Sequence, residues 1–72
     1  MSSDKDEILK KHSVIIAGHQ TSFTLENIFW RHFKDIAKAD GKSISALITE
    51  IDKTRKVNLS SAIRVYILKK LV

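Results

Sequence analysis

Between His12 and Leu25 this chain carries its one convincing run of β-forming residues, and a strand cannot stand without a neighbour. Val14, Ile15, Ile16, Thr21, Phe23 and Thr24 are β-branched or aromatic, and no helical spacing runs through them. Gly18 interrupts the run and marks a bend, a bulge or a break into two short strands. Beyond it, Gln20, Ser22 and Thr24 alternate with Thr21, Phe23 and Leu25, so one strand face is polar and the other turns apolar towards its end. The backbone N–H and C=O groups of such a strand need a ladder partner. Unless Gly18 folds residues 13–25 back into a hairpin, the economical partner is the same strand of a second copy, paired antiparallel about a two-fold axis.

Helices follow. Ile28, Phe29, Phe33, Ile36 and Ala37 fall at three- and four-residue steps, which predicts a helix over about 26–40, with Thr24 a candidate cap and Trp30 beside the apolar stripe. Gly41 fits the left-handed position that ends it. A second helix is expected from Ser43 or Ser45 to about Lys53, with Ile44, Leu47, Ile48 and Ile51 as its apolar face. Lys53, Thr54, Arg55, Lys56 and Val57 make a basic connection, and Asn58 caps a third helix running to Val72. That last helix is apolar around most of its circumference, through Leu59, Ala62, Ile63, Val65, Tyr66, Ile67, Leu68, Leu71 and Val72. Such a helix is buried on several sides, and a chain this short has little with which to cover it.

Size sharpens the point. A domain of 72 residues hides only about 60% of the surface its unfolded chain exposes, and small scaffolds need a disulfide, a metal or a partner. With no cysteine, disulfides and thiolate metal sites are excluded, which leaves a partner chain. Too little chain exists to wall off an enzyme's deep cleft. Lys and Arg outnumber Asp and Glu by 13 to 8, a net charge of +5 that favours an anionic partner, nucleic acid first. No signal-peptide or membrane-spanning run is present, so a cytoplasmic protein is expected, with residues 1–11 as a flexible polar arm and 12–72 as a single domain.

The string Thr21-Ser22-Phe23-Thr24-Leu25-Glu26, then Phe29, Phe33 and Ala37, then Gly41-Lys42-Ser43-Ile44-Ser45-Ala46-Leu47-Ile48, resembles the ribbon-helix-helix proteins in order and spacing. The longer pattern from Lys11-His12-Ser13-Val14 through Ala17-Gly18-His19 and Phe29-Trp30 to Asn58-Leu59-Ser60-Ser61-Ala62 is similar to a subfamily of short bacterial members of unassigned role. The resemblance covers residues 11–70 and implies a mainly α fold with a short β-strand. It implies an intertwined homodimer with an intermolecular, antiparallel two-stranded ribbon, here with an additional C-terminal helix. It further implies sequence-specific binding of double-stranded DNA as a homodimer, with the ribbon in the major groove of a regulated promoter, a repressor being the common case.

Residue by residue, Gln20, Ser22 and Thr24 match the positions that contact bases. Lys42, Ser43 and Ser45, around the start of the second helix, match those that contact phosphate, in addition to ordinary helix capping. Phe23, Leu25, Phe29, Phe33, Leu47, Ile48, Ile63 and Ile67 are expected in the dimer core. Many members carry Arg or Lys where this chain has Gln20, the minimal fold lacks the third helix, and Ser13 to His19 is an extra β-like stretch. A polar strand face without a basic residue supports an alternative, a protein-interaction or dimerisation module whose apolar C-terminal helix docks another protein. Arg31, Lys34 and Lys38 form a stripe that reads first as the wet face of a helix, and the Lys53, Arg55 and Lys56 cluster as flanking charge. His12, His19 and His32 lack ligand spacing and companion carboxylates, so no metal, cofactor or catalytic residue is expected.

Overall fold

The computed structural model describes residues 3–72. After a single helical turn, α1 (Ser3–Asp6), come two strands, β1 (Leu9–Ile16) and β2 (His19–Glu26), then three helices, α2 (Asn27–Asp40), α3 (Ile44–Thr54) and α4 (Leu59–Leu71). The strands pair antiparallel with each other, from Leu9 opposite Glu26 to Ile16 opposite His19.

That pairing corrects the sequence reading at its centre. Residues 20–25 do not wait for a second copy; they meet Leu9–Ile16 of their own chain. The device is the Ala17–Gly18 turn, whose two residues have φ of 52° and 82°. Positive φ at both central positions is the signature of the type I′ turn, whose twist matches that of paired strands. Within one molecule the antiparallel pair is this hairpin, and the other edge of β2 has no strand partner among the described residues. Part of the expected arm joins it, since Leu9, Lys10 and Lys11 belong to β1, while Met1 and Ser2 lie outside the described residues.

A two-residue turn makes Ile16 and His19 the closing hydrogen-bonded pair, and the ladder alternates from there. Gln20, Ser22 and Thr24 therefore direct their backbone groups away from β1, to the free edge of β2. One of these is already satisfied, because the Thr24 N–H donates to Ser60 Oγ on α4 at 3.1 Å.

The helices begin and end largely as the sequence predicts. Gly41, with φ of 66°, closes α2; its N–H donates to the Lys38 carbonyl and that of Lys42 to the Ala37 carbonyl. Ser43 Oγ accepts from the Ala46 N–H at 3.0 Å and Asn58 Oδ1 from the Ser61 N–H at 2.9 Å, capping α3 and α4. The start of α2 differs. Thr24, the expected cap, lies inside β2, and Glu26 occupies the capping position without a side-chain cap bond. Its carboxylate is held instead by Arg64 of α4, whose Nε and Nη2 donate to Oε1 and Oε2 at 2.8 and 3.3 Å.

The core lies between the inner face of the hairpin and the three long helices. Val14, Ile16, Phe23 and Leu25 come from the strands; Phe33 and Ala37 from α2; Leu47, Ile48 and Ile51 from α3; Leu59, Ile63 and Ile67 from α4. Seven of the eight side chains expected in a dimer core are buried by this one chain, and Phe29 packs partly buried against them. The role the sequence reading gave to a partner is largely taken by α4. Its other side stays uncovered: Val65, Leu68 and Leu71 are about half exposed. An aromatic series ties the layers together, from His12 stacked on Trp30 at 4.0 Å, through Trp30 and Phe33 at 6.3 Å, to Tyr66 edge-on to Phe33.

Candidate nucleic-acid interface

Strand alternation and the cross-strand register together define the hairpin's outward face. The inner face takes His12, Val14 and Ile16 with Phe23 and Leu25. The outer face takes Lys11 opposite Thr24, Ser13 opposite Ser22, and Ile15 opposite Gln20. All are exposed except Thr24, which is half-buried next to α4. The three residues singled out for base contact, Gln20, Ser22 and Thr24, therefore form one row on one face. The sequence reading missed the second row. Lys11 supplies the cation that β2 lacks, and the alternation of Lys11, Ser13 and Ile15 with His12, Val14 and Ile16 was the available signal.

The residues assigned to phosphate separate. Ser45, exposed at the start of α3, borders a shallow depression with Ser13, Val14, Ile15 and Gln20, so the structure brings it to the turn end of the ribbon. Ser43 lends its hydroxyl oxygen to the cap, and its hydroxyl proton stays free to donate outward. Lys42 turns to Glu50, with Nζ 2.9 Å from Oε2, and this hydrogen bond raises the lysine's pKa above its ordinary value. Neither Lys42 nor Ser43 lines the depression.

Elsewhere the basic side chains divide into paired and free. Arg31 of the α2 stripe donates to Asp6 at 2.7 Å, which raises its pKa; Arg55 donates to Asp52 at 2.7 Å and to the Val57 carbonyl. Lys10, Lys11, Lys34 and Lys38 have no ion-pair partner among the described residues. Lys10 and Lys34 lie near enough to His12 to act on its titration. Burial first, and then these two charges, lowers the His12 pKa below its ordinary value. His12 Nε2 is buried with no hydrogen-bond partner, so the ring serves the aromatic stack. No group of three metal-ligating side chains converges among the described residues, and no helix among them is long and apolar enough to cross a membrane.

Comparison with known proteins identifies the fold and the family. A solved structure, an uncharacterized protein from Bordetella pertussis Tohama I, superimposes with a TM-score of 0.79 at 26% identity, over 94% of this chain and 59% of that one. The present chain thus spans well under two thirds of that protein. No curated protein matches the sequence. The profile of the ribbon-helix-helix domain matches residues 9–71, from the first residue of β1 to the last of α4. A match that takes in both strands and all three long helices settles the family: this chain belongs to the ribbon-helix-helix family.

Proposed function

We infer that this protein binds double-stranded DNA through the outward face of its own hairpin and regulates transcription. Ribbon-helix-helix proteins generally bind DNA as transcription regulators. The observation that carries the reading for this chain is the complete two-stranded ribbon within one molecule, with Lys11, Ser13, Gln20, Ser22 and Thr24 on a single face. Strands in a pair lie about 4.8 Å apart, and a two-stranded ribbon fits the roughly 12 Å major groove. Hydroxyls and a carboxamide supply the donors and acceptors that base edges match. Lys11 and the free lysines of α2 supply attraction to phosphate, and Ser45 at the ribbon's turn end is placed for a backbone contact.

The active form on this reading is a homodimer, and α4 is the surface through which it forms. A second β2 added to the hairpin's free edge would make four strands, spanning about 15 Å between the outermost strand axes and too wide for the groove. The Thr24 N–H on that edge is also occupied by Ser60. Val65, Leu68 and Leu71 remain as the apolar surface for a second copy. Sedimentation should give twice the mass of one chain.

A second reading has its own observation. Ile51, Val57, Ala62, Val65 and Tyr66 line a groove between α3 and α4 that suits another protein's side chain. The readings part on a titration of duplex DNA followed by fluorescence anisotropy. DNA binding predicts association at low salt that weakens at least about tenfold between 50 and 200 mM, as counterion release requires. No binding to any duplex at low salt, with a protein captured through α4, would establish the interaction module instead.

A further inference from the structure

The groove between α3 and α4 has three walls. Ile51 comes from α3, Val57 from the connection that follows it, and Ala62, Val65 and Tyr66 from α4. Its volume is about 650 Å³, inside the roughly 300–1,000 Å³ range of small-ligand sites. Val57 and Val65 are 52% and 49% exposed and belong to no part of the core, so their apolar surface is spare. The connection is braced by the chain itself. Arg55 donates to Asp52 Oδ1 and to the Val57 carbonyl, each at 2.7 Å, which fixes the wall that carries Val57. A wall fixed beforehand lowers the cost of ordering a site around a ligand.

The rim carries charge of one sign. Glu50 is the one acid among the lining residues, and Lys42 holds its carboxylate at 2.9 Å. Arg55 is engaged by Asp52. Lys56 on the connection and Lys69 on α4 also line the groove, and neither has an ion-pair partner among the described residues. Their aliphatic stems extend the apolar surface while their ammonium groups stay in water. We propose that this groove binds a small anionic amphiphile, a straight-chain carboxylate of the decanoate class, with its chain along Ile51, Val57, Ala62 and Tyr66 and its carboxylate on one of the two free lysines, Lys56 or Lys69. A helix of another protein, about 10–12 Å across, would have to clear the connection that closes one end of the groove, whereas a flexible acyl chain ends inside it. The site lies away from the hairpin face, so it stands whether or not the chain binds a duplex.

The test titrates decanoate into the full chain, without DNA and below the concentration at which micelles form, and follows the backbone amides by NMR. Binding should saturate at one site per chain, with the largest shifts within residues 50–69. Octanoate, shorter by two methylenes, should bind about tenfold more weakly. Decyltrimethylammonium, with the same chain and the opposite charge, should also bind about tenfold more weakly. Val57→Asp, at a position outside the core, should weaken decanoate binding at least about tenfold, and one of Lys56→Gln and Lys69→Gln should weaken it about threefold. Val65 is left unchanged, because it also belongs to the side of α4 offered to a second copy. Circular dichroism checks that the variants fold, and the comparison of head groups on the wild type stays decisive if one does not. Equal affinity for decanoate and decyltrimethylammonium, shifts centred on the hairpin, or binding that none of the three variants weakens overturns the site. A wild type that binds no decanoate overturns it too, and an acidic amphipathic peptide moving the same amides would then give the groove to a protein segment. A halved mass of Val57→Asp in sedimentation would overturn it in favour of a second copy.

Discussion

His12 shows how one side chain sets a condition on the whole fold. Its ring stacks on Trp30 at 4.0 Å and lies 5.4 Å from Phe23, joining β1, β2 and α2. Burial, with Lys10 and Lys34 nearby, keeps its pKa below the ordinary 6.5. The unfolded chain then takes up the proton more readily than the folded one. The stabilising contribution is complete above that value and is lost as pH falls below it. Glu26 acts in the same direction at lower pH. Its hydrogen bonds from Arg64 lower its pKa from 4.5, so its contribution is present above that value and is lost as pH falls through the lowered one. The two are separable by His12→Phe, which retains an aromatic ring in the stack and cannot be protonated. Between about pH 7 and pH 5 the urea midpoint of the wild type should fall and that of the variant should stay level. Equal slopes would show that His12 does not carry the acid sensitivity. The sequence told little of this, because a histidine in a strand gives no sign of what it will stack against until the register and the helix position are known.

Among the elements, the hairpin was the least legible and the helices the most. Apolar stripes at three- and four-residue steps, Gly41, Ser43 and Asn58 fixed the helices to within a residue or two, because caps and periodicity are local. β1 was hidden for two reasons. Leu9, Lys10 and Lys11 are exposed and mostly charged, so their alternation carries no hydrophobic signal. The turn uses Ala17 where Asn is the usual residue before glycine, which removed the strongest local cue. Ala17 sits at φ of 52°, a left-handed conformation that costs an alanine about 1 kcal/mol or more and an asparagine less. Ala17→Asn should therefore raise stability by about 0.5–1 kcal/mol in denaturant titration. A lowered midpoint would mean that the two-residue turn is not the one formed. The site was legible in half. The row Gln20, Ser22 and Thr24 followed from alternation alone, whereas Lys11, Ser13 and Ile15 are added by the cross-strand register.

At the scale of the molecule, the fold closes a core that its length made improbable. α4 lays Leu59, Ile63 and Ile67 under the hairpin and helices, and ties itself to β2 by Ser60 and Arg64. One chain thereby completes both a core and a ribbon. Of the two ways to pair strand 20–25 that the sequence left open, the hairpin folded back at Gly18 is the one formed within this chain. At this scale the excess of positive charge and the polar outward face of the hairpin fit a family whose members bind DNA. The central claim is that the hairpin face itself reads DNA. Its most direct test is selection from random duplexes by the wild type and by a variant carrying Gln20→Ala, Ser22→Ala and Thr24→Ala. The wild type should enrich a defined sequence, while the variant should keep its fold and its salt-dependent binding but enrich none. Enrichment of the same sequence by both would contradict the claim and move recognition off the ribbon.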